Sequence, residues 1–499
     1  MGDLRELIEE IEGGPEGPQV GAFFDFDGTL IAGFSGTEFY RARLRARQVG
    51  PQELARTLMA VGDIRLRGAD VDGLMRTAVA AWEGRPVDDM EQFAERVTTQ
   101  RIAGMLYPES LEVIDAHRRM GHVIALASSA TRYQIAPLAR ELLIEHILCT
   151  EVEVANGLFT GRLASPIRWG EGKADAVREF AAEHEIDLTR SYAYGNGDED
   201  VPYLEAVGRP RPLNPEPGLE RTAAERGWPV TRFTARAGMG LRPALRTVAA
   251  LAGMGAAAWV GTSVGLLNRN RRLAGNLATE LGSELALALA GVQLEVTGEE
   301  HLWSDRPAVF LFNHQSSLDT LAVASLLRRD FTGVAKKEAA RDPRFAPLGA
   351  LLDVVYIDRA NSQRAREALA PVVDRLRGGT SIAIAPEGTR TPTPRLRPFK
   401  KGAFHIAMQA GVPLVPIVLR NAGQLMWRGE AVIHAGTLQV AVLEPIQTKG
   451  WRVADLDRRV ADVRRRFEET LEHWPTDRRP AARGRRDRPS ARRHTGAVR

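Results

Sequence analysis

The sequence predicts an α/β protein in which two parallel-sheet domains are joined by an apolar helical segment. The chain has 499 residues, more than one hydrophobic core usually serves. Short apolar runs typical of buried strands alternate with helical stretches in both halves, a pattern that favours parallel sheets. A charge-free run at residues 247–267 lies between the halves. We therefore expect two main domains separated by a helical segment.

The N-terminal half contains strand patterns at residues 20–24, 123–127 and 192–195. Residues 35–105 interleave charged and apolar positions in a helical pattern. Parallel strands place their functional residues at the carboxyl ends, so the site is expected there. The predicted divisions are a helix or linker at 1–19, a first domain at 20–225 and a linker at 226–242.

Two aspartates follow the first strand, in the run Asp25-Phe26-Asp27-Gly28-Thr29. Phosphoryl transfer needs one carboxylate to attack phosphorus and a neighbouring one to protonate the leaving oxygen. An Asp-Gly turn that merely caps a strand is the common alternative. The downstream residues favour chemistry, because a hydroxyl, an ammonium and further carboxylates follow in order, at Ser128, Lys173 and residues 195–202.

On these motifs, residues 20–220 resemble the haloacid dehalogenase superfamily, specifically its phosphoserine-phosphatase-like subfamily. The resemblance implies a Rossmann-like core with a helical cap at about 35–105, inserted after the first strand. It implies that Asp25 is the nucleophile and a ligand of Mg²⁺, and that Asp27 is the general acid/base, which also offers its backbone carbonyl to Mg²⁺. Ser128 and Lys173 would hold the phosphoryl oxygens.

The fourth motif departs from the family pattern. The family usually has Gly-Asp here, with the aspartate bound to the metal, whereas this chain has Asn196, and Asp200 fits the second acidic position. We therefore expect Asn196 and Asp200 to complete the metal site, with Asp198 as an alternative ligand. Loss of one negative charge predicts weaker Mg²⁺ binding.

The middle segment, residues 243–292, is predicted to associate with a membrane. Its charge-free run 247–267 is long enough to cross a bilayer, which takes about 20 apolar residues. Alanine and glycine dominate it and arginines flank both ends, so we favour a helical pair in one leaflet over a true span. The second helix is expected at 281–292. A buried soluble hairpin is the alternative.

A second set of strands is predicted at 308–312, 354–357, 381–385 and 415–419. His314 follows the first of them, and Asp319 comes five residues later. Activation of a hydroxyl at neutral pH needs a base such as histidine, and a nearby carboxylate fixes its tautomer. A lone His-Asp pair at this spacing is more often structural.

Cationic groups that could bind a phosphate follow two of these strands. Arg359 follows one of them, and Glu387-Gly388-Thr389-Arg390 follows the next. Guanidinium groups bind phosphate well, and Gly388 permits close backbone approach. A surface ion pair with Asp358 is the alternative role of Arg359.

Residues 290–450 are similar to the glycerolipid acyltransferases, most of all the 1-acylglycerol-3-phosphate acyltransferases. The resemblance rests on four ordered blocks: 313–319, 357–359, 387–390 and 412–416. It implies that His314, oriented by Asp319, deprotonates the acceptor hydroxyl, which attacks a thioester of coenzyme A or acyl carrier protein. The glycerol phosphate would be bound by Arg359, Glu387, Gly388, Thr389 and Arg390. The domain is expected to cover 293–475.

The net charge of +4 comes from the C-terminal tail. Residues 476–499 carry nine Arg and two Asp, a charge of +7, which leaves −3 for the rest. This tail is predicted to be disordered, with anionic lipid as a candidate ligand and no specific nucleic acid expected. The single cysteine, Cys149, suits a reducing compartment, and no secretory signal is visible.

The sequence therefore predicts a two-enzyme chain at the cytoplasmic face of the cell membrane. Its expected partners are lysophospholipid and acyl thioester substrates, the membrane surface and acyl carrier protein. Two alternatives stay open. The first domain could bind phosphate in a regulatory role without turnover, as Asn196 suggests, or the whole chain could be a lipid-binding scaffold.

Overall fold

Each half of the protein folds around its own β-sheet, with helices on both faces. The structure is a computed structural model that describes residues 4–50, 71–233, 241–336, 349, 354–357, 370–391, 393–426 and 431–475. The predicted phosphate-binding Arg359 and the tail 476–499 lie outside these residues. The α/β class predicted from the sequence is confirmed in both halves.

The N-terminal half alternates strands and helices. Its strands are β1 Gly21–Phe24, β2 Val123–Thr131, β3 His146–Thr150, β4 Val152–Ala155, β5 Leu158–Leu163, β6 Tyr192–Gly195 and β7 Arg209–Pro212. Its α-helices are α1 Leu4–Glu12, α2 Ser35–Arg45, α3 Val71–Ala80, α4 Val87–Gln100, α5 Pro108–Arg119, α6 Arg132–Glu141, α7 Glu171–Glu183, α8 Val201–Glu205 and α9 Pro217–Arg226, with 3₁₀ turns at Ile102–Met105, Leu188–Arg190 and Asp198–Asp200.

Five of these strands form a parallel sheet in the order β3-β2-β1-β6-β7. Strand β1 is buried throughout. It packs side chains against the helices on both faces of the sheet, because alternate side chains point to opposite faces. Phe24 packs in the cluster with α1 and α5, whereas Phe23 packs against α7. Burying such a side chain contributes about 1.5–3 kcal/mol.

The sequence did not predict four strands of this half, namely β3, β7 and the hairpin strands β4 and β5. Strand β7 has the sequence Arg-Pro-Arg-Pro and was expected to be a closing loop. Proline has no N–H to donate, so it is tolerated only where one side of the strand is unpaired. Its place at the sheet edge meets that condition.

The middle segment forms an antiparallel hairpin of α10 Leu241–Leu267 and α11 Arg271–Ala290, so the predicted helical pair is confirmed as secondary structure. Small residues every fourth position let the backbones approach closely. A Cβ on Gly261 would lie 2.7 Å from the Ala274 carbonyl oxygen. Helix α10 is long and apolar enough to cross a membrane, and only 28% of its apolar window is buried.

The C-terminal half has strands β8 Val292–Thr297, β9 Val309–Phe312, β10 Phe331–Lys336, β11 Val355–Ile357, β12 Ser381–Ile384, β13 Leu414–Leu419 and β14 Gly436–Val442. Its described α-helices are α12 Ser317–Leu327, α13 Ala370–Arg377, α14 Gly402–Ala410, α15 Ala422–Leu425 and α16 Leu456–Glu472, with 3₁₀ turns at Glu299–Leu302 and Val453–Asp455.

These strands form a seven-stranded sheet in the order β11-β10-β12-β9-β13-β14-β8. Only the β13–β14 pair is antiparallel among the described strands. Strand β9 occupies the centre and is fully buried. Phe310 and Phe312 pack in the layer with α12, and Val309 and Leu311 pack in the opposite layer with α14 and α16. The residue after Phe312 therefore emerges at the centre of a rigid sheet.

A buried chain of hydrogen bonds crosses the core of the N-terminal half. His122 Nε2 lies 2.7 Å from the Pro15 carbonyl oxygen, which only accepts, so this nitrogen donates. His122 Nδ1 then accepts from His117 Nδ1 at 2.7 Å, and His117 Nε2 accepts from the Tyr194 hydroxyl at 2.6 Å. Both imidazoles are neutral in this arrangement. Burial first, and then the neighbouring imidazole of His122, lowers the pKa of His117 well below 6.5.

We predict that this arrangement makes the stability of the N-terminal half depend on pH. The unfolded chain binds a proton at His117 below pH 6.5 and the folded chain does not, so stability falls as pH falls through 6.5. The stability difference between wild type and His117→Gln should shrink by roughly 2 kcal/mol from pH 7 to pH 5. Hydrogen exchange of the β1 and β6 amides measures it. A difference that does not change with pH would contradict the neutral pair.

Candidate active sites

The first site lies at the carboxyl ends of β1, β2 and β6, where Lys173 joins two buried aspartates. Lys173 Nζ donates to Asp25 Oδ1 at 2.8 Å and to Asp200 Oδ1 at 2.5 Å. Asp200 Oδ2 accepts the backbone N–H groups of Asn196 and Gly197 at 3.0 and 3.2 Å. Both oxygens of Asp200 therefore have partners, and the first turn of α7 places the Lys173 ammonium beside Asp25.

Burial and neighbouring charges shift the pKa values of Asp25 and Lys173. Burial raises the pKa of Asp25, the Lys173 ammonium opposes that rise, and the charges of Asp200 and Asp27 add to it. Burial opposes the charge of Lys173, but Asp200 and Asp25 outweigh it, so the pKa of Lys173 is raised. The ammonium therefore stays charged beside Asp25. A phosphoryl group with its negative oxygens would complement that charge.

Asp27 is a buried carboxyl group that two hydrogen bonds from Ser35 hold in place. Its Oδ1 accepts from the Ser35 backbone N–H at 2.6 Å and its Oδ2 from the Ser35 hydroxyl at 3.0 Å. Burial raises the pKa of Asp27 to about 6, and the hydrogen bonds from Ser35 limit that rise. A carboxyl group with a pKa near 6 exchanges its proton readily at neutral pH. Ser35 was not predicted to be part of the site, because it lies outside the Asp25–Thr29 motif.

Asn196, in the fourth motif, contacts the first motif. Its Oδ1 accepts from Thr29 Oγ1 at 3.3 Å, and a Cβ on Gly28 would lie 2.3 Å from its Nδ2. Asp198, the alternative ligand, instead accepts the Leu219 N–H at the start of α9. Asp198 is thus engaged in capping a helix.

The oxygen donors of Asp25, Asp27 and Asn196 fit a hard cation in their chemistry, since Mg²⁺ prefers carboxylate and amide oxygens. In the part of the chain that the structure describes, no three His, Cys, Asp or Glu side chains cluster in a way that could hold a metal ion. The site is therefore poorer in negative charge than a site with three carboxylate ligands.

Ser128 lies in β2, beside the strand that leads to Asp25. Its Oγ accepts the Ala130 N–H at 3.2 Å, so the hydroxyl hydrogen can still be donated. The fold therefore brings Ser128 and Lys173 to the same end of the sheet as the two aspartates.

The second site is built where β9 ends and α12 begins. His314 Nδ1 lies 3.0 Å from Asp319 Oδ2, which also accepts the N–H groups of Gln315 and Ser316 at 2.6 and 2.8 Å. Ser316 caps α12, and Asp319 is the third residue of its capping box. Asp319 is 0% exposed, whereas the His314 side chain is 21% exposed. The helix start thus fixes Nδ1 and leaves Nε2 for a ligand.

Glu387 holds the backbone of His314 from the neighbouring strand end. Its Oε1 accepts the His314 N–H at 2.8 Å and its Oε2 accepts the Arg397 N–H at 3.0 Å. The Thr391 N–H donates to the His314 carbonyl at 2.8 Å. Burial raises the pKa of Glu387 to about 7. Glu387 was predicted to bind the glycerol phosphate, but at 2% exposure its carboxylate faces the backbone of the base.

Arg390 contacts the start of α12, the helix that carries Asp319. Its Nη1 donates to Ser317 Oγ at 2.8 Å, in the first turn of α12. Gly388 has φ +76° and lies against the Lys400 side chain, so a Cβ there would come within 3.0 Å of Lys400 Nζ. Thr389 completes this turn and is half-buried. The turn therefore brings the Arg390 guanidinium to the start of the helix that carries Asp319.

Asn313 is a further residue whose role the sequence reading did not assign. Its Nδ2 donates to the Leu419 carbonyl and its Oδ1 accepts the Leu419 N–H, both at 2.8 Å. The amide continues the pairing of β9 with β13 by one residue. It therefore fixes the direction in which the chain leaves the sheet before His314.

Comparison with known proteins gives two separate matches. Residues 22–205 match the sequence model of the haloacid dehalogenase-like hydrolases, and residues 293–420 match that of the acyltransferases. The chain is 31% identical over 264 residues to the inhibition of morphological differentiation protein of Streptomyces azureus, covering 51% of this chain and 95% of the relative. It is 35% identical over 217 residues to a phosphoserine phosphatase of Mycobacterium tuberculosis, covering 42% and 70%.

The C-terminal half has its own relatives. It is 35% identical over 188 residues to the 1-acyl-sn-glycerol-3-phosphate acyltransferase of Limnanthes alba. The matched residues cover 37% of this chain and 65% of that protein. The two matches describe a haloacid dehalogenase-type hydrolase domain followed by an acyltransferase domain. Through its N-terminal half the chain belongs to the haloacid dehalogenase-like hydrolase family.

Proposed function

We propose that the C-terminal domain transfers an acyl group from acyl-CoA or acyl carrier protein to 1-acylglycerol-3-phosphate, giving phosphatidic acid. The observation that carries this proposal is the orientation of His314, with Nδ1 on buried Asp319 and the ring partly exposed. Nε2 takes the proton of the acceptor hydroxyl as its oxygen attacks the thioester carbon. The carbon–sulfur bond then breaks, and the proton passes from Nε2 to the leaving thiolate.

Arg390 supports the choice of a phosphate-bearing acceptor, because its guanidinium lies at the N-terminal turn of α12, close to the base. We assign the anionic group of the acceptor to this side of the site, with Gly388 and Thr389 offering close backbone approach. Arg359 stays a predicted contact to the same phosphate. Glu387 acts by holding His314 and the loop that follows Arg390.

We further propose that the N-terminal domain hydrolyses a phosphomonoester. Asp25 attacks phosphorus and forms an aspartyl-phosphate, while Asp27 gives its proton to the leaving alcohol. Lys173 and Ser128 hold the phosphoryl oxygens. Asp25, Asp27 and Asn196, with Asp200 behind Lys173, are the residues that would hold Mg²⁺. When bound, that ion supplies positive charge beside the phosphoryl oxygens.

The weak metal site favours a second candidate for this domain. Asn196 replaces a carboxylate and Asp198 caps a helix, so the domain has fewer negative groups to bind Mg²⁺. A phosphate-binding regulatory role without turnover is the alternative that this observation supports.

We also propose that the α10–α11 hairpin docks on the cytoplasmic face of the cell membrane. Along α10 the side chains of Leu245, Leu251, Trp259, Leu266 and Leu267 are more than half exposed. Arginines follow at position 269 in the turn and at positions 271 and 272 at the start of α11. Apolar side chains that enter the acyl region, with cations at the headgroups, describe a helix pair in one leaflet.

For the acyltransferase, His314→Ala should lower acyl transfer to lysophosphatidic acid by at least about a hundredfold, since the general base is lost. Asp319→Asn should also lower it, because an amide favours the wrong tautomer. Thioester consumption and lipid-product mass spectrometry measure both. His301→Ala, in the same domain, is the control and should keep the wild-type rate. Equal rates for His314→Ala and wild type would rule out this base.

For the hydrolase, phosphate release from phosphoserine, lysophosphatidic acid and p-nitrophenyl phosphate should need Mg²⁺ and disappear in Asp25→Asn. Asn196→Asp should lower the Mg²⁺ concentration that gives half the maximal rate, because it restores a charge. Asp175→Asn, an exposed position on α7, is the matched control. No release from any of the three esters would remove the phosphatase proposal and leave the regulatory one.

For the hairpin, the double variant Leu266→Asp/Leu267→Asp should weaken sedimentation with vesicles of phosphatidylglycerol and phosphatidylcholine by at least about tenfold. Val453→Asp is the matched control, because Val453 is an equally exposed apolar residue outside the hairpin. Wild-type protein that does not bind these vesicles, or a double variant that binds as wild type does, would contradict the docking face.

A further inference from the structure

Residues 393–398, here called the bridging loop, lie between the two domains and next to the acyltransferase base. On the acyltransferase side, Gln315 Nε2 donates to the Pro394 carbonyl at 3.0 Å, and the Arg397 N–H donates to Glu387 at 3.0 Å. Arg464 Nη2 donates to the Leu396 carbonyl at 3.3 Å. Two of these three contacts come from residues that adjoin His314, in sequence or by hydrogen bond.

On the hydrolase side, the same loop is held by two ion pairs. Arg397 Nη2 donates to Glu141 Oε1 at 2.6 Å, at the end of α6. Arg395 Nη2 lies 3.6 Å from Asp115 Oδ1, on α5. The Arg397 and Glu141 side chains are 37% and 28% exposed, so water screens this pair less than it screens a fully exposed one.

Three contacts connect the hydrolase domain to the base. Glu141 binds the Arg397 side chain, the Arg397 N–H binds one oxygen of Glu387, and the His314 N–H binds the other oxygen. Glu387 is buried, so the loss of either donor would leave a carboxylate oxygen without a hydrogen bond away from water. A shift of Arg397 would therefore move Glu387 and change the position of the His314 backbone.

We propose that Glu141 of the hydrolase domain is a positioning residue for acyl transfer. Through Arg397 it holds Glu387, and thereby His314, in the orientation needed to deprotonate the acceptor. The inference rests on the proposed acyltransferase function and adds to it that the hydrolase domain is part of the structure that positions the base.

The hydrolase site itself does not share this contact. Helix α6 starts at Arg132, directly after β2, and Glu141 lies nine residues further along, roughly 14 Å away. The acyltransferase domain thus packs at the end of the hydrolase sheet opposite Asp25 and Lys173. Changing Glu141 should leave phosphate binding and release at Asp25 intact.

Charge reversal tests the proposal. Glu141→Arg places two cations together and should lower kcat for acyl transfer by at least about threefold, with little change in KM for the acceptor. The double variant Glu141→Arg/Arg397→Glu restores the pair with its charges exchanged and should recover most of the lost rate. Glu95→Arg is the matched control, since Glu95 pairs with Arg140 beside Glu141 but does not touch the bridging loop. The hydrolase assay should be unchanged in every variant.

Hydrogen exchange of the His314 and Arg397 amides gives a second readout that needs no activity. Both amides should exchange at least about threefold faster in Glu141→Arg and return to wild-type rates in the double variant. Wild-type kcat and exchange in Glu141→Arg would overturn the proposal. So would an Arg397→Glu variant that raises KM for the acceptor and is not rescued, since Arg397 would then be a substrate contact. Absence of acyl transfer in wild type would instead remove the proposed function, and the exchange rates would still decide whether Glu141 positions His314.

Discussion

Two buried carboxylates fix the peptide and the ring of His314, and the acyltransferase site depends on this constraint. Asp319 accepts from the imidazole and from two backbone N–H groups, and Glu387 accepts the N–H of His314 itself. Burying a carboxylate is costly unless hydrogen bonds replace water. Here the donors come from the helix start and the neighbouring loop, so the contacts that orient His314 also satisfy Asp319 Oδ2 and both oxygens of Glu387. Asp319 Oδ1 is buried without a hydrogen-bond partner among the described residues.

In the hydrolase site a buried cation, Lys173, stabilises the buried carboxylates. Lys173 offsets two carboxylates that would otherwise repel each other, and backbone N–H groups satisfy the far oxygen of Asp200. In both domains the functional residues follow fully buried strands, β1 and β9. The rigid sheet therefore fixes the starting point of each site, and short loops set the direction of each side chain.

Much of the fold followed from sequence patterns, because buried central strands form continuous apolar runs. Strand β6 has the predicted bounds, and the starts or ends of β1, β9 and β12 differ from the prediction by one residue. The edge strands β7 and β8 were not predicted, since an edge strand needs neither two apolar faces nor all its N–H groups.

The sequence predicted which residues lie at the candidate sites, but it predicted only some of the contacts that those residues make. The pairing of His314 with Asp319 and of Lys173 with Asp25 agrees with the chemistry expected of those residue types. The backbone contacts of Glu387, the capping role of Asp198 and the hydrogen bonds from Ser35 to Asp27 were not foreseen. A sequence shows which groups are present, whereas the direction of a carboxylate depends on donors supplied by distant segments. Arg359 lies outside the described residues, so its role stays a prediction.

The tautomer of His314 tests the central constraint most directly. Nitrogen-15 NMR of histidine-labelled protein, with the His314 signals assigned by their loss in a His314 variant, distinguishes a proton on Nδ1 from one on Nε2. The geometry predicts that neutral His314 carries its proton on Nδ1, donated to Asp319, and that this preference is lost in Asp319→Ala. A neutral ring protonated on Nε2 in the wild type would contradict the assignment of His314 as a base held by Asp319.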